Sequence, residues 1–243
     1  MKKISGIFFL ATTLSFSPSK MRTDIVAFSS LDGLNITADE YLVNDTLPWM
    51  ILCHQASFSR GEYKETANKF SKFGYNCLAI DQRSGKEVNG IKNETAASAL
   101  TQKKPQEYLD AEQDILAAVN FISAKSKKKI VLVGSSYSAS LVLKTAAEDS
   151  KIKAVIAFSP GEYFGKKLNL KEAIKNLSIP VFVTSSNEEA PAVAELIKDI
   201  KSASKTQFVP NGKGDHGSKV LWKTSPDHKE YWMALLMFFT KLK

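Results

Sequence analysis

The chain has 243 residues, 44% of them hydrophobic, which is enough for a sizeable core in one large domain. Its 33 Lys and Arg exceed its 25 Asp and Glu, for a net charge of +8. The lysines are scattered, as in "SAKSKKKI" and "GKKLNLKEAIK", instead of sharing one face with aromatic partners, and this argues against nucleic acid as a partner.

The first residues, "MKKISGIFFLATTLSFSPSK", open on two lysines, run apolar from Ile4 to Phe16 and end in small residues. That is the build of a bacterial secretory signal. It predicts a signal peptide over residues 1–19, a mature chain starting between residues 18 and 22, and a periplasmic or secreted protein. No other run is long and apolar enough for a membrane span. From residue 24, "DIVAFSSLDG" and "LNITADEYL" predict a hairpin about Asp32-Gly33. "WMILCH" reads as a short buried strand, "EYKETANKFSKFGY" as an amphipathic helix ended by Gly74, and "NCLAID" as the next strand. Cys53 and Cys77 sit inside these two apolar runs, so they read as buried free thiols, not as a disulfide framework.

A polar loop is expected next. "PQEYLDAEQDILAAVNFISAK" then places Leu109, Ile115, Ala118, Val119 and Ile122 on one helical face. The strand "KIVLVG" and its helix follow, then "IKAVIAFSP", the short helix "LKEAIKNL", the strand "IPVFVTSS" and the helix "APAVAELIKDI". The strand "TQFVP" and the helix "HKEYWMALLMFFTKL" close the chain. Repeated strand–helix units imply an α/β fold with a mostly parallel sheet of about eight strands and helices on both faces. Residues 20–243 read as a single domain, and the short segment between "AFSP" and "IPVFV" leaves no room for a lid domain.

"KIVLVGSSYSAS" carries the chemistry. Gly134-Ser135-Ser136-Tyr137-Ser138 matches G-x-S-x-G except for its last residue, between an apolar strand and a helix. In that setting small residues allow a sharp, strained turn that lifts the central serine, Ser136, above the sheet edge. A serine hydroxyl needs a base to take its proton. Of three histidines, His228 opens the last helix among charged residues and His54 ends an early strand. His216 lies in the glycine-rich loop "VPNGKGDHGSKVLW" at the correct sheet edge. None is paired with another Cys or His at ligand spacing, so no metal is expected, and no cofactor is implied. A carboxylate must orient the imidazole, and "PVFVTSS" runs into two candidates, Glu188 and Glu189. Backbone N–H groups must hold the oxyanion. Tyr137, which follows the nucleophile, supplies one, and Ala56, in the loop "HQASFSRGEY", is the best placed second.

These motifs resemble the α/β-hydrolase superfamily over residues 24–243. His54-Gln55-Ala56 stands where its oxyanion loop stands, and Asp81, Arg83 and Gly85 match its D-x-R-x-G strand end. "GSSYS" matches its nucleophile elbow and "DHGS" its histidine loop. The chain looks most like the lidless group related to dienelactone hydrolases and acyl-peptidase-type esterases. In that family the triad aspartate lies nine residues beyond the strand's proline; counting from Pro180 reaches Glu189. The resemblance implies a serine hydrolase that cleaves small-molecule carboxylic esters through Ser136, His216 and Glu189. Ser136 replaces the cysteine typical of dienelactone hydrolases, which argues against that particular reaction, and Gln55 replaces a usual glycine. The same triad also serves thioesterases, peptidases and acyltransferases, and a binding protein on this fold is the non-catalytic rival.

Overall fold

The computed structural model describes residues 21–242; the expected signal peptide, residues 1–19, lies outside them. The strands are β1 (Arg22–Ser29), β2 (Asn35–Leu42), β3 (Trp49–Cys53), β4 (Asn76–Ile80), β5 (Glu87–Val88), β6 (Ile91–Lys92), β7 (Ile130–Ser135), β8 (Ile152–Phe158), β9 (Val181–Thr184) and β10 (Lys205–Phe208). The helices are α1 (Ala67–Lys72), α2 (Glu94–Thr101), α3 (Glu112–Lys125), α4 (Tyr137–Glu148), α5 (Leu170–Ile174), α6 (Ala190–Ile197) and α7 (His228–Thr240). Eight strands form one sheet in the order β1-β2-β4-β3-β7-β8-β9-β10. β2 pairs antiparallel with both of its neighbours, and every other pairing is parallel.

β3, β4, β7 and β9 are buried at every position, because helices cover both faces of this part of the sheet. Alternation along the strands divides the core. Ile51, Cys53, Leu78 and Leu132 face the side covered by α3, α4, α5 and α6. Met50, Leu52, Cys77 and Val133 face α1 and α7. Cys53 and Cys77 therefore lie on opposite faces, both as free buried thiols.

Two segments differ from the sequence reading. The helix expected over "EYKETANKFSKFGY" is a 3-10 turn at Arg60–Tyr63 followed by the shorter α1. Residues 60–63 are pinned to the sheet: Arg60 reaches Asp81 at 2.6 Å and Asp39 at 2.9 Å, and the Tyr63 hydroxyl donates to the Cys53 carbonyl. The expected polar loop contains the β5–β6 hairpin and α2, whose N-terminus is capped by the Asn93 side chain. Between β8 and β9 there is only a 3-10 turn and the five-residue α5.

Candidate active site

Strand register brings five loops to one edge. Cys53 pairs with Gly134, Ser135 with Phe158, Phe158 with Thr184 and Thr184 with Phe208, so the carboxyl ends of β3, β7, β8, β9 and β10 are level. The chain leaves β3 for β4 on one side and returns with β7 on the other. This is the point of strand-order reversal where open α/β sheets hold their ligands.

Ser136 sits between β7 and α4 with φ 59° and ψ −126°, a conformation rare for a side-chain-bearing residue and the mark of a strained elbow. A Cβ on Gly134 would come within 2.5 Å of the Ser138 carbonyl oxygen, which is why this position has no side chain. Ser138, where the motif has its second glycine, fits by pointing inward. Its hydroxyl donates to the His54 carbonyl at 2.5 Å and accepts from Gln82 at 2.8 Å. The strain therefore keeps the Ser136 hydroxyl at the mouth while its neighbours are bound into the core.

His216 Nε2 lies 2.8 Å from Ser136 Oγ, and His216 Nδ1 lies 2.5 Å from Glu189 Oε1. With Nδ1–H donating to the carboxylate, Nε2 is left as the acceptor for the serine proton. The second Glu189 oxygen accepts from Ser159 Oγ and Ser186 Oγ, both at 2.8 Å, and from the Ser186 amide at 3.0 Å. Partial burial raises the Glu189 pKa, but the bonds from His216, Ser186 and Ser159 outweigh it and hold the carboxyl at about 2. Glu188 is exposed, and Asp215 faces Lys219 at 3.6 Å, so neither replaces Glu189.

The histidine loop is fastened directly after His216. Gly217 N–H donates to Ser159 Oγ, and Ser218 N–H donates to Ser135 Oγ at 2.8 Å. Gly217 has φ +77°, and a Cβ there would strike the Gln55 side chain. Glu62, wholly buried, accepts from the Ser218 hydroxyl at 2.6 Å and from the Gln55 amide at 2.7 Å. Burial pushes the Glu62 carboxyl upward, against the Ser218 and Gln55 hydrogen bonds.

With the Gln55 amide committed to Glu62, Ala56 is the next amide along the loop after β3. Tyr137 N–H begins α4, where first-turn amides have no partner within the helix. His54 is buried, and burial lowers its pKa to about 4. Its Nδ1–H donates to the Gln55 carbonyl and its Nε2 accepts from the Gln82 amide, so it shapes the loop as a neutral ring. Arg83 is likewise structural, bound to Asp114 at 2.7 Å and Asp32 at 3.0 Å. His228 is half-buried at the start of α7, with Nδ1 on the Ser225 carbonyl.

Sequence reasoning passed over Tyr163, Ser159, Ser186 and Glu62. The Tyr163 hydroxyl donates to the Ser159 carbonyl at 2.8 Å. None of these four belongs to a local motif; Ser159 and Tyr163 follow β8, Ser186 follows β9 and Glu62 follows β3. Among the described residues no group of three or more His, Cys, Asp or Glu is placed to hold a metal ion. Among them, too, no helix is long and apolar enough to cross a membrane.

The family model for the dienelactone hydrolase family matches residues 44–211, well over half of the 243-residue chain, and the chain belongs to that family. No curated protein matches it. Among solved structures it is similar to an esterase from Pyrococcus furiosus, with TM-score 0.68, 17% identity and 91% of each chain covered. A dienelactone hydrolase from Anabaena variabilis gives TM-score 0.70 at 14% identity, covering 91% of this chain and 98% of the other. The esterase domain of a Rhodothermus marinus protein gives 0.61 at 17%, covering 88% and 96%. At these identities the likeness is one of fold.

Proposed function

We propose that the protein is a serine hydrolase of small-molecule carboxylic esters. The observation that carries this reading is the unbroken chain from Ser136 Oγ through both His216 nitrogens to Glu189, at 2.8 and 2.5 Å, on the ligand-binding edge of the sheet. Membership of the dienelactone hydrolase family supports the same chemistry.

In this reading His216 Nε2 takes the Ser136 proton as Oγ attacks the ester carbonyl. The charge that appears on the carbonyl oxygen is met by the N–H groups of Tyr137 and Ala56, and Glu189 steadies the imidazolium. The tetrahedral species collapses as His216 gives its proton to the departing alcohol. Water, deprotonated by the same nitrogen, then releases the acid from Ser136. The basic, apolar start of the sequence supports a second element of the proposal: residues 1–19 direct export and are removed.

A fluorophosphonate probe tests the reading. Labelling that maps to Ser136, together with turnover of short chromogenic esters, is the expected result. Folded protein that neither labels nor hydrolyses any member of a graded ester panel overturns it. N-terminal sequencing of protein from its native host tests export; an intact Met1 refutes it.

A further inference from the structure

We infer that the cleft between residues 106–109 and the loop after β8 binds an uncharged aryl group attached to one side of the ester carbonyl. The inference rests on the hydrolase reading above and extends it to a substrate class.

The cleft has a volume of ≈ 320 Å³ and is lined by Tyr108, Leu109, Tyr163 and Phe164, with Glu107 and Lys167 at its rim. That is near the lower limit of small-molecule sites, roughly 300–1,000 Å³, and suits one ring with a short tail. Two of its walls contact residues adjoining the proposed catalytic groups. Tyr163 lines the cleft while its hydroxyl donates to the carbonyl of Ser159, whose own hydroxyl donates to Glu189. The Tyr108 ring stacks on that of Tyr137, the residue after Ser136, with centroids 4.5 Å apart and planes at 18°. A group entering the cleft therefore lies against side chains that pack on the ring of Tyr137, the chain neighbour of the nucleophile, and bond to Ser159, the partner of Glu189.

The walls are already formed. Tyr163 packs against Gly161, where a Cβ would meet its ring at 3.0 Å. Both polar backbone atoms of Gly161 bond to Ser140 Oγ on α4, at 2.9 and 2.8 Å, so the loop holding Tyr163 is tied to the helix that starts at the elbow. Tyr108 is buried on its Tyr137 side yet 40% exposed, which leaves ring surface for a ligand. Charge selects for a neutral guest, because the ionic groups that line the cleft among the described residues, Lys167 and Glu107, pair with each other across the rim. Three aromatic side chains favour an aryl guest over an aliphatic one of equal size, since ring–ring geometry adds to area burial.

The test measures binding without turnover. Ser136→Ala protein is titrated calorimetrically with two matched pairs: phenyl acetate against cyclohexyl acetate, and ethyl benzoate against ethyl cyclohexanecarboxylate. In at least one pair the aryl member is expected to bind roughly three- to tenfold more tightly, the range that an aromatic pair contributes. The pair that shows the preference identifies the alcohol or the acyl side. Tyr108→Ala in the same background should erase the preference and Tyr108→Phe should restore it, while Leu109→Trp, which fills the cleft, should weaken aryl binding. Equal affinities within both pairs, or a preference that survives both Tyr108→Ala and Leu109→Trp, overturns the inference. Aryl preference in the Ser136→Ala protein with no ester turnover by the unmodified enzyme would sink the hydrolase reading and leave the cleft assignment standing.

Discussion

Ser218 donates its hydroxyl hydrogen to Glu62 at 2.6 Å, so a wholly buried carboxyl joins the loop beside His216 to the loop after β3. The other Glu62 oxygen holds the Gln55 amide at 2.7 Å, one residue before the proposed oxyanion donor Ala56. One side chain thus ties the His216 loop to the loop of the proposed oxyanion donor. Glu62→Leu strands two buried donors, each costing about 1–3 kcal/mol, and should lower kcat as well as stability. Burial raises the Glu62 pKa above its unfolded value, so between those two values the folded state binds more protons and stability falls as pH rises. Glu62→Gln should lack that slope. Urea unfolding of both proteins from pH 4.5 to 8 checks this, and parallel curves would count against it.

Glu189→Gln should reduce kcat by roughly four orders of magnitude, because an amide favours the wrong imidazole tautomer. Glu188→Gln and Asp215→Asn should stay within a few-fold of the parent, since one is exposed and the other faces Lys219. The Glu189 pKa is depressed to about 2, so its stabilising effect is complete above the unfolded carboxyl range and is lost as pH falls through about 2. Steady-state kinetics of the three variants on one ester decide the assignment; a large loss at Glu188 would move the acid there.

The three serines of the elbow should separate cleanly. Ser136→Ala should lower kcat by about six orders of magnitude, as removal of such nucleophiles does. Ser135→Ala removes the acceptor for the Ser218 amide and should cost activity only several-fold. Ser138→Ala leaves Gln82 short of a partner and should appear mainly as about 1–3 kcal/mol of lost stability. Thermal unfolding beside kinetics separates these effects. A Ser135→Ala enzyme as dead as Ser136→Ala would reassign the nucleophile.

His54 should act as an acid-sensitive support. Its folded pKa of about 4 lies below the usual 6.5, so the unfolded chain takes up the proton first and stability is lost as pH falls from about 6.5 to 4. The shift corresponds to about 3 kcal/mol at full effect. His54→Gln should unfold with a flatter acid limb. An identical limb in both proteins would show that other groups drive acid unfolding.

What the sequence discloses is what short-range physics controls. Ile130–Val133 and Val181–Val183 read as strands because apolar runs covered on both faces have few alternatives. The strand–turn–helix setting points to Ser136 and the glycine-rich loop to His216, whereas the family resemblance selects Glu189 over Glu188; the fold brings these three side chains into one hydrogen-bonded chain. Arg60 was not legible, because its burial depends on Asp39 and Asp81, 21 residues away to either side, and the helix could not start until that cluster ended. The β5–β6 hairpin did leave a local trace: Asn89-Gly90, both with positive φ, is a strong hairpin turn inside a stretch otherwise read as loop. Tyr163, Ser159 and Glu62 left none, since only the level ends of β3, β8 and β10 bring them to Ser136 and His216.

The placement of Cys53 and Cys77 on opposite faces of the sheet has a consequence for the redox life of the protein. Cys77 pairs in register with Met50, three residues from Cys53, which is about 10 Å along the strands and too far for a disulfide. Burial raises both thiols, Cys77 to about 12, so the reactive thiolate is scarce. The fold therefore matures without oxidative cross-linking and is the same molecule in reducing and oxidising surroundings. A thiol reagent meets these sulfurs only when the central strands part, so the rate of their modification times the opening of the whole sheet, not the breathing of its loops.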